Sequence, residues 1–240
     1  MNKRALMPDT SASKLPVLIV LHQEHSTPGR IGRLIEAQGH RLDIRRPRFG
    51  DALPPTMKEH SGAVIFGGPM SANDEEDFIR SEIEWIGVPL KESKPFLGVC
   101  LGAQMLTRHC GGRVYKDPDG RAEIGYYDIK PLPGTETLAG ALPAHVYQWH
   151  REGFDLPLGA RLLARGEIFE VQACCLDKAY AIQFHPEVTY AMMCRWTTRA
   201  AERMSAPAAQ PREQHLEGWF RYDAAVERWA QDFIVRWLGA

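Results

Sequence analysis

The feature that most constrains this chain is an alternation of short, unbroken apolar runs, rich in β-branched residues, with segments of helical spacing. The runs are PVLIVLH at 16–22, SGAVIFGG at 61–68 and KPFLGVC at 94–100. An apolar run with no polar alternation belongs to a strand covered on both faces, as in the middle of a parallel sheet. Between the first two, RIGRLIEAQ at 30–38 puts Ile31, Leu34 and Ile35 on one helical face and stops at Gly39, after which HRLDIRR alternates as a strand. That is a βαβ unit. The segment NDEEDFIRSEIEWIGVPLKES at 73–93 predicts a single helix capped by Asn73 or Asp74, with its early acids at the positive end of the dipole. LGAQMLTRHC predicts another, ended by Gly111 and Gly112.

From about 113 to 185 the runs shorten and alternate, with Pro and Gly between them, predicting hairpins and returning strands that finish in the core strand AYAIQFH. Residues 191–204 and 219–240 return to helical spacing across the linker-like SAPAAQPREQ. The whole predicts an α/β three-layer sandwich with a mostly parallel central sheet. It divides into a leader at 1–15, a main domain at 16–190 and a helical C-terminal extension at 191–240. Trp219, Phe220, Trp229, Phe233 and Trp237 are expected to dock that extension on the domain.

A formal net charge of -1 gives no broad attraction for nucleic acid or an anionic membrane. No apolar run approaches the ~18 residues of a membrane span. Five cysteines, an odd number without regular spacing, read as thiols in a reducing, cytoplasmic compartment.

Chemistry concentrates at the carboxyl ends of strands in an open α/β sheet. Gly98-Val99-Cys100-Leu101-Gly102 stands at such an end, directly before a helix, in the arrangement of a nucleophile elbow with sulfur in place of oxygen. The helix dipole would favour a Cys100 thiolate, and the Leu101 N–H could donate to an oxyanion. Taken alone, the same five residues also fit a small core cysteine with glycines relieving crowding. A thiol nucleophile needs a base, and the base an orienting group. Of nine histidines, His185 ends a core strand and is followed by Pro186, which stops the ladder, and Glu187, whose carboxylate could orient the imidazole. Phe66-Gly67-Gly68-Pro69 follows another strand, where Gly68 could offer a second N–H to the oxyanion. His185-Pro-Glu187 also matches half of a zinc deaminase signature, but no C-x-x-C follows, so neither metal nor cofactor is expected. Cys174 and Cys175 read as core residues of a strand.

In that order and context, GGPMS (67–71), GVCLGAQ (98–104) and FHPE (184–187) resemble the class I, triad-type glutamine amidotransferases over residues from about 16 to 190. The resemblance implies a flavodoxin-like fold in which Cys100 attacks the side-chain amide of glutamine, His185 shuttles the proton and Glu187 fixes His185. A γ-glutamyl thioester would release ammonia and glutamate. It also implies that Gln104 helps hold the substrate and that the segment with Trp149 and His150 receives the amino-acid head. GGPMSAND is most similar to the GMP synthetase glutaminase branch. The C-terminal extension is too short for a synthetase, which leaves three readings: a glutaminase with a separate synthetase subunit, a stand-alone γ-glutamyl peptidase, or a non-catalytic subunit held through the aromatic helix.

Overall fold

The computed structural model describes residues 14–239, so most of the leader expected at 1–15 lies outside the described residues. In chain order the strands are β1 (Lys14–Val20), β2 (His40–Arg45), β3 (Gly62–Ile65), β4 (Phe96–Val99), β5 (Val114–Lys116), β6 (Glu123–Asp128), β7 (Lys130–Pro131), β8 (His145–His150), β9 (Glu152–Phe154), β10 (Arg161–Arg165), β11 (Val171–Leu176) and β12 (Ala179–Ile182). The helices are α1 (Gly29–Ala37), α2 (Asp77–Trp85), α3 (Gly87–Lys91), α4 (Leu101–His109), α5 (Glu136–Ala139), α6 (Tyr190–Arg199) and α7 (Arg212–Gly239).

Eight strands form the main sheet in the order β2-β1-β3-β4-β12-β11-β10-β7. The first five are mutually parallel, and β11, β10 and β7 return antiparallel. Unbroken apolar runs in β1 are explained by burial on both sides. Val17 and Ile19 face a core shared with α1 and the end of α7, while Leu18 and Val20 face one shared with α2 and α4. Register then sets the active edge: Val20 lies opposite Ile65, Ile65 opposite Gly98, and Val99 opposite Ile182. The residues that follow these positions emerge together at the carboxyl end of the parallel half.

Three expectations change. The single helix over 73–93 is two, because Pro89 cannot supply the N–H that would bond back one turn, and the axis breaks at Ile86. Neither expected residue caps it: the N-cap is Glu76, while Asp74 accepts from the Ser71 N–H at 2.8 Å and Asn73 donates to the Val114 carbonyl at 3.0 Å. The helix expected from 219 starts at Arg212, inside the expected linker. Gln210, just before it, binds both backbone groups of Tyr126, its Oε1 accepting at 3.0 Å and its Nε2 donating at 2.6 Å.

α7 packs back on the domain. Trp229, Phe233 and Trp237 are buried, Trp219 is half-buried, and Phe220 is 79% exposed. No helix among the described residues is long and apolar enough to cross a membrane.

Candidate active site

Cys100 stands between β4 and α4 with φ 50° and ψ −103°, a conformation that costs a non-glycine residue energy and is held only by its surroundings. Its N–H donates to the Ile182 carbonyl at 2.8 Å and its carbonyl accepts the Gln104 N–H at 3.0 Å. The flanking glycines are required by contact. A Cβ on Gly98 would lie 2.5 Å from the Gly102 carbonyl oxygen, and one on Gly102 would lie 2.1 Å from that of Ile65. The Leu101 N–H belongs to the first turn of α4, where no intrahelical acceptor exists.

His185 follows β12 and is fixed by its backbone N–H, which donates to the Tyr147 carbonyl at 2.9 Å. Its Nδ1 is 2.7 Å from Glu187 Oε1, and both side chains are almost fully buried. The ring meets Trp196 edge to face, with centroids 5.1 Å apart. Nε2 makes no hydrogen bond of good geometry, yet the Cys100 sulfur is near enough to act on the ring's charge. Burial alone would push His185 down strongly, but the Glu187 charge, then Cys100, raise it to about 10. The environment therefore favours an imidazolium held against the Glu187 carboxylate.

The Gly67–Gly68 loop closes over this pair. A Cβ on Gly67 would come within 2.8 Å of the His185 ring and 3.5 Å of Cys100 Cβ, and one on Gly68 within 3.0 Å of His22. His22 holds the loop: its Nδ1 is 3.1 Å from the Gly67 carbonyl, which can only accept, so Nδ1 carries a proton. Its Nε2 is 2.8 Å from Glu82 Oε2 on α2, in a pair with no solvent exposure. A trans peptide points its N–H opposite its carbonyl, so anchoring the Gly67 oxygen turns the Gly68 N–H away from His22.

Cys100, His185, Glu187, Gly67, Gly68 and Trp149 line a cavity of about 450 Å³. Gln104 and His150, expected at the substrate, do not line it. Both are buried and converge on one backbone atom: Gln104 Nε2 donates to the Glu152 carbonyl at 2.9 Å, and His150 Nδ1 to the same oxygen at 2.9 Å. His150 Nε2 lies 2.9 Å from the buried Glu123 carboxylate. The strand period turns Trp149 and His150 to opposite faces of β8, which is why adjacent residues part company.

Sequence reasoning singled out neither His22 nor Arg30. Arg30 gathers the His-Pro-Glu segment, its backbone N–H donating to the Glu187 carbonyl at 2.8 Å and Nη1 to that of Pro186 at 3.2 Å. Nη2 pairs with Asp223 of α7 at 2.5 Å. His215, also on α7, accepts the Tyr147 hydroxyl at 2.9 Å, and burial lowers its basicity. The C-terminal helix thus braces the His185 segment from two sides. No local pattern could have announced these partners, which lie up to 193 residues apart.

A thiol, an imidazole and an orienting carboxylate in one cavity form a set able to make and hydrolyse acyl–sulfur bonds. No group of described residues could hold a metal ion.

The glutamine amidotransferase class-I family profile matches residues 30–193. The chain is 30% identical over 186 residues to the glutamine amidotransferase-like protein YfeJ of Salmonella typhimurium, covering 72% of this chain and 76% of that protein. It is 30% identical over 139 residues to a glutamine-hydrolysing GMP synthase subunit of Sulfurisphaera tokodaii, covering 56% and 71%. The chain spans about a quarter of the glutamine-hydrolysing GMP synthase of Pediococcus pentosaceus, 24% of its length. Among solved structures, a glutamine amidotransferase from Methylobacillus flagellatus superposes with a TM-score of 0.87 at 28% identity, covering 94% of each chain.

Proposed function

Because the chain belongs to the class I glutamine amidotransferase family, we propose that it hydrolyses the γ-amide of glutamine or of a γ-glutamyl compound through Cys100, His185 and Glu187. The observation that carries this reading is the convergence of the three in one cavity, with His185 held 2.7 Å from Glu187. The Cys100 sulfur attacks the γ-carbonyl carbon while His185 delivers a proton to the departing nitrogen. The C–N bond breaks, an S–C bond forms, and ammonia or an amine leaves. Water, deprotonated by His185, then adds to the γ-glutamyl thioester, breaking the S–C bond and freeing glutamate. The N–H groups of Gly68 and Leu101 receive the oxyanion in both steps.

His22 and Glu82 enter as positioning residues, since they orient the peptide that carries the Gly68 donor. Trp149 forms part of the substrate wall. Gln104 and His150 act at one remove, bracing the turn between β8 and β9 through the Glu152 carbonyl. The reaction needs no cofactor. Five free thiols support a reducing, cytoplasmic setting.

A γ-glutamyl compound larger than glutamine is the second reading, favoured by the cavity of about 450 Å³, which lies within the ~300–1,000 Å³ usual for small-molecule sites. A separate synthetase subunit would instead take the ammonia. The non-catalytic reading loses its basis in the aromatic helix, whose Trp229, Phe233 and Trp237 are already spent on this chain's own core.

The test is glutamate release from glutamine and γ-glutamyl amides by the full chain beside Cys100→Ala. Turnover in the parent and none in the variant supports the reading. Equal release from both would overturn it.

A further inference from the structure

The helix that touches His185 and the 3₁₀ turn after it bring three arginines to the wall of the same cavity, Arg195 and Arg199 exposed and Arg203 half-buried. Trp196 of α6 packs its edge on the His185 ring, and Arg199 is its neighbour one turn on. Arg195 sits four residues before Arg199 on that face, and Arg203 follows in the 3₁₀ turn Ala201–Ser205. The arginine ion pairs found among the described residues lie elsewhere and include none of the three. Arg199 suits the negative end of the α6 dipole, but that does not explain Arg195 or Arg203. Like charges one turn apart repel, and a bound anion relieves that repulsion.

The acids on the cavity wall do not balance them. Glu187 is paired with His185, and Glu24 is an exposed loop residue 4.0 Å from His25. The wall therefore carries three arginines beyond His185 with no acid free to pair them, and a substituent on the leaving nitrogen would share the cavity with these guanidinium groups.

We propose that this cavity takes γ-glutamyl compounds whose amide nitrogen bears a carboxylate-containing substituent, and that Arg195, Arg199 and Arg203 read that carboxylate. This rests on the γ-amide hydrolase reading above. Planar guanidinium forks match a carboxylate in two parallel hydrogen bonds, which a neutral amide of the same shape cannot accept with charge. The chemistry is unchanged: the C–N bond breaks, the nitrogen leaves with the His185 proton as an amino acid, and water releases glutamate.

The experiment compares three substrates: glutamine, γ-glutamylglycine and γ-glutamylglycinamide, the last two differing in little but charge. Each is given to the full chain and to the triple variant Arg195→Gln, Arg199→Gln, Arg203→Gln. The expected kcat/KM for γ-glutamylglycine exceeds that for its amide by about 10-fold or more, the worth of a charge-assisted contact, and the ratio collapses toward one in the variant. If the triple variant does not fold, the ratio in the parent protein must fall as salt rises, since exposed charges are screened. Equal rates for both glycine compounds, or a ratio that survives the variant, overturn the proposal. So does turnover of glutamine alone, which would give the arginines to an acidic protein partner. In those outcomes the hydrolase reading stands. That reading fails separately if none of the three is cleaved and Cys100 is untouched by a glutamine-like electrophile.

Discussion

Cys100, at the end of β4, and Cys174, within β11, are two thiols whose strands are separated by a single intervening one, yet their surroundings make them opposites. Cys174 lies in mid-strand, opposite Leu162 and Ala181, with ordinary extended neighbours. Burial pushes its thiol up to about 12, holding it protonated and inert. Cys100 is also buried, but its backbone is forced to positive φ, glycines stand two residues to either side, and an imidazole lies beside it. The difference teaches that burial alone does not decide a thiol's role. The turn and the charge it is turned toward decide it.

Replacement of each thiol should sharpen the contrast most. Cys100→Ala is expected to lose at least ~10³-fold in turnover, the scale of a missing nucleophile with its acid–base partner, while keeping its thermal midpoint. Cys174→Ala should do the reverse, keeping turnover and losing about 1–2 kcal/mol of stability in denaturant unfolding. A shared phenotype would erase the distinction.

The next effect down is in the oxyanion loop. His22→Phe, made together with Glu82→Gln so that no buried carboxylate is left unpaired, removes the anchor of the Gly67 carbonyl without opening a cavity, and should lower kcat by up to the ~10²–10³ attributed to one oxyanion donor, leaving KM nearly unchanged. His22→Asn, which keeps a donor, should recover part of it. A fall confined to KM would remove His22 from the oxyanion loop.

The third concerns charge. Burial works against the His185 imidazolium, but Glu187 and Cys100 lift the folded value to about 10, above its ordinary 6.5. A raised histidine stabilises the fold fully below pH 6.5 and loses that contribution as pH climbs through 10. The unfolding midpoint should therefore drop between about pH 7 and pH 10, and Glu187→Gln should flatten the slope. An unaltered slope in that variant would show that the two do not share a proton economy.

Smallest of all, Phe220→Ser should shift stability by no more than about 0.5 kcal/mol, since its ring is 79% exposed.

What the sequence made legible follows from distance along the chain. The elbow around Cys100 and the His185-Pro-Glu187 segment are local patterns, in which each residue constrains its neighbours within a turn. The alternation of apolar runs carried the layered fold for the same reason. The anchors were not legible. His22 meets Glu82 across 60 residues, and Arg30 meets Asp223 across 193, so no periodicity or cap marks them. Gln104 and His150 lie off the cavity wall because motif position says that a residue is near a site, whereas side-chain direction is set by the pleat and by a single shared carbonyl. The helix break at Ile86 was readable from Pro89, and its apolar face outweighed that signal.

The central claim is that one cysteine of the five carries the acyl group. It is tested most directly by locating the covalent adduct that forms when the full chain reacts with an electrophilic glutamine analogue, by peptide mass spectrometry. One equivalent on Cys100, suppressed by excess glutamine and absent from Cys174, is the predicted result. Label on Cys174 or another thiol with Cys100 unmodified, in protein that still turns over, would contradict it.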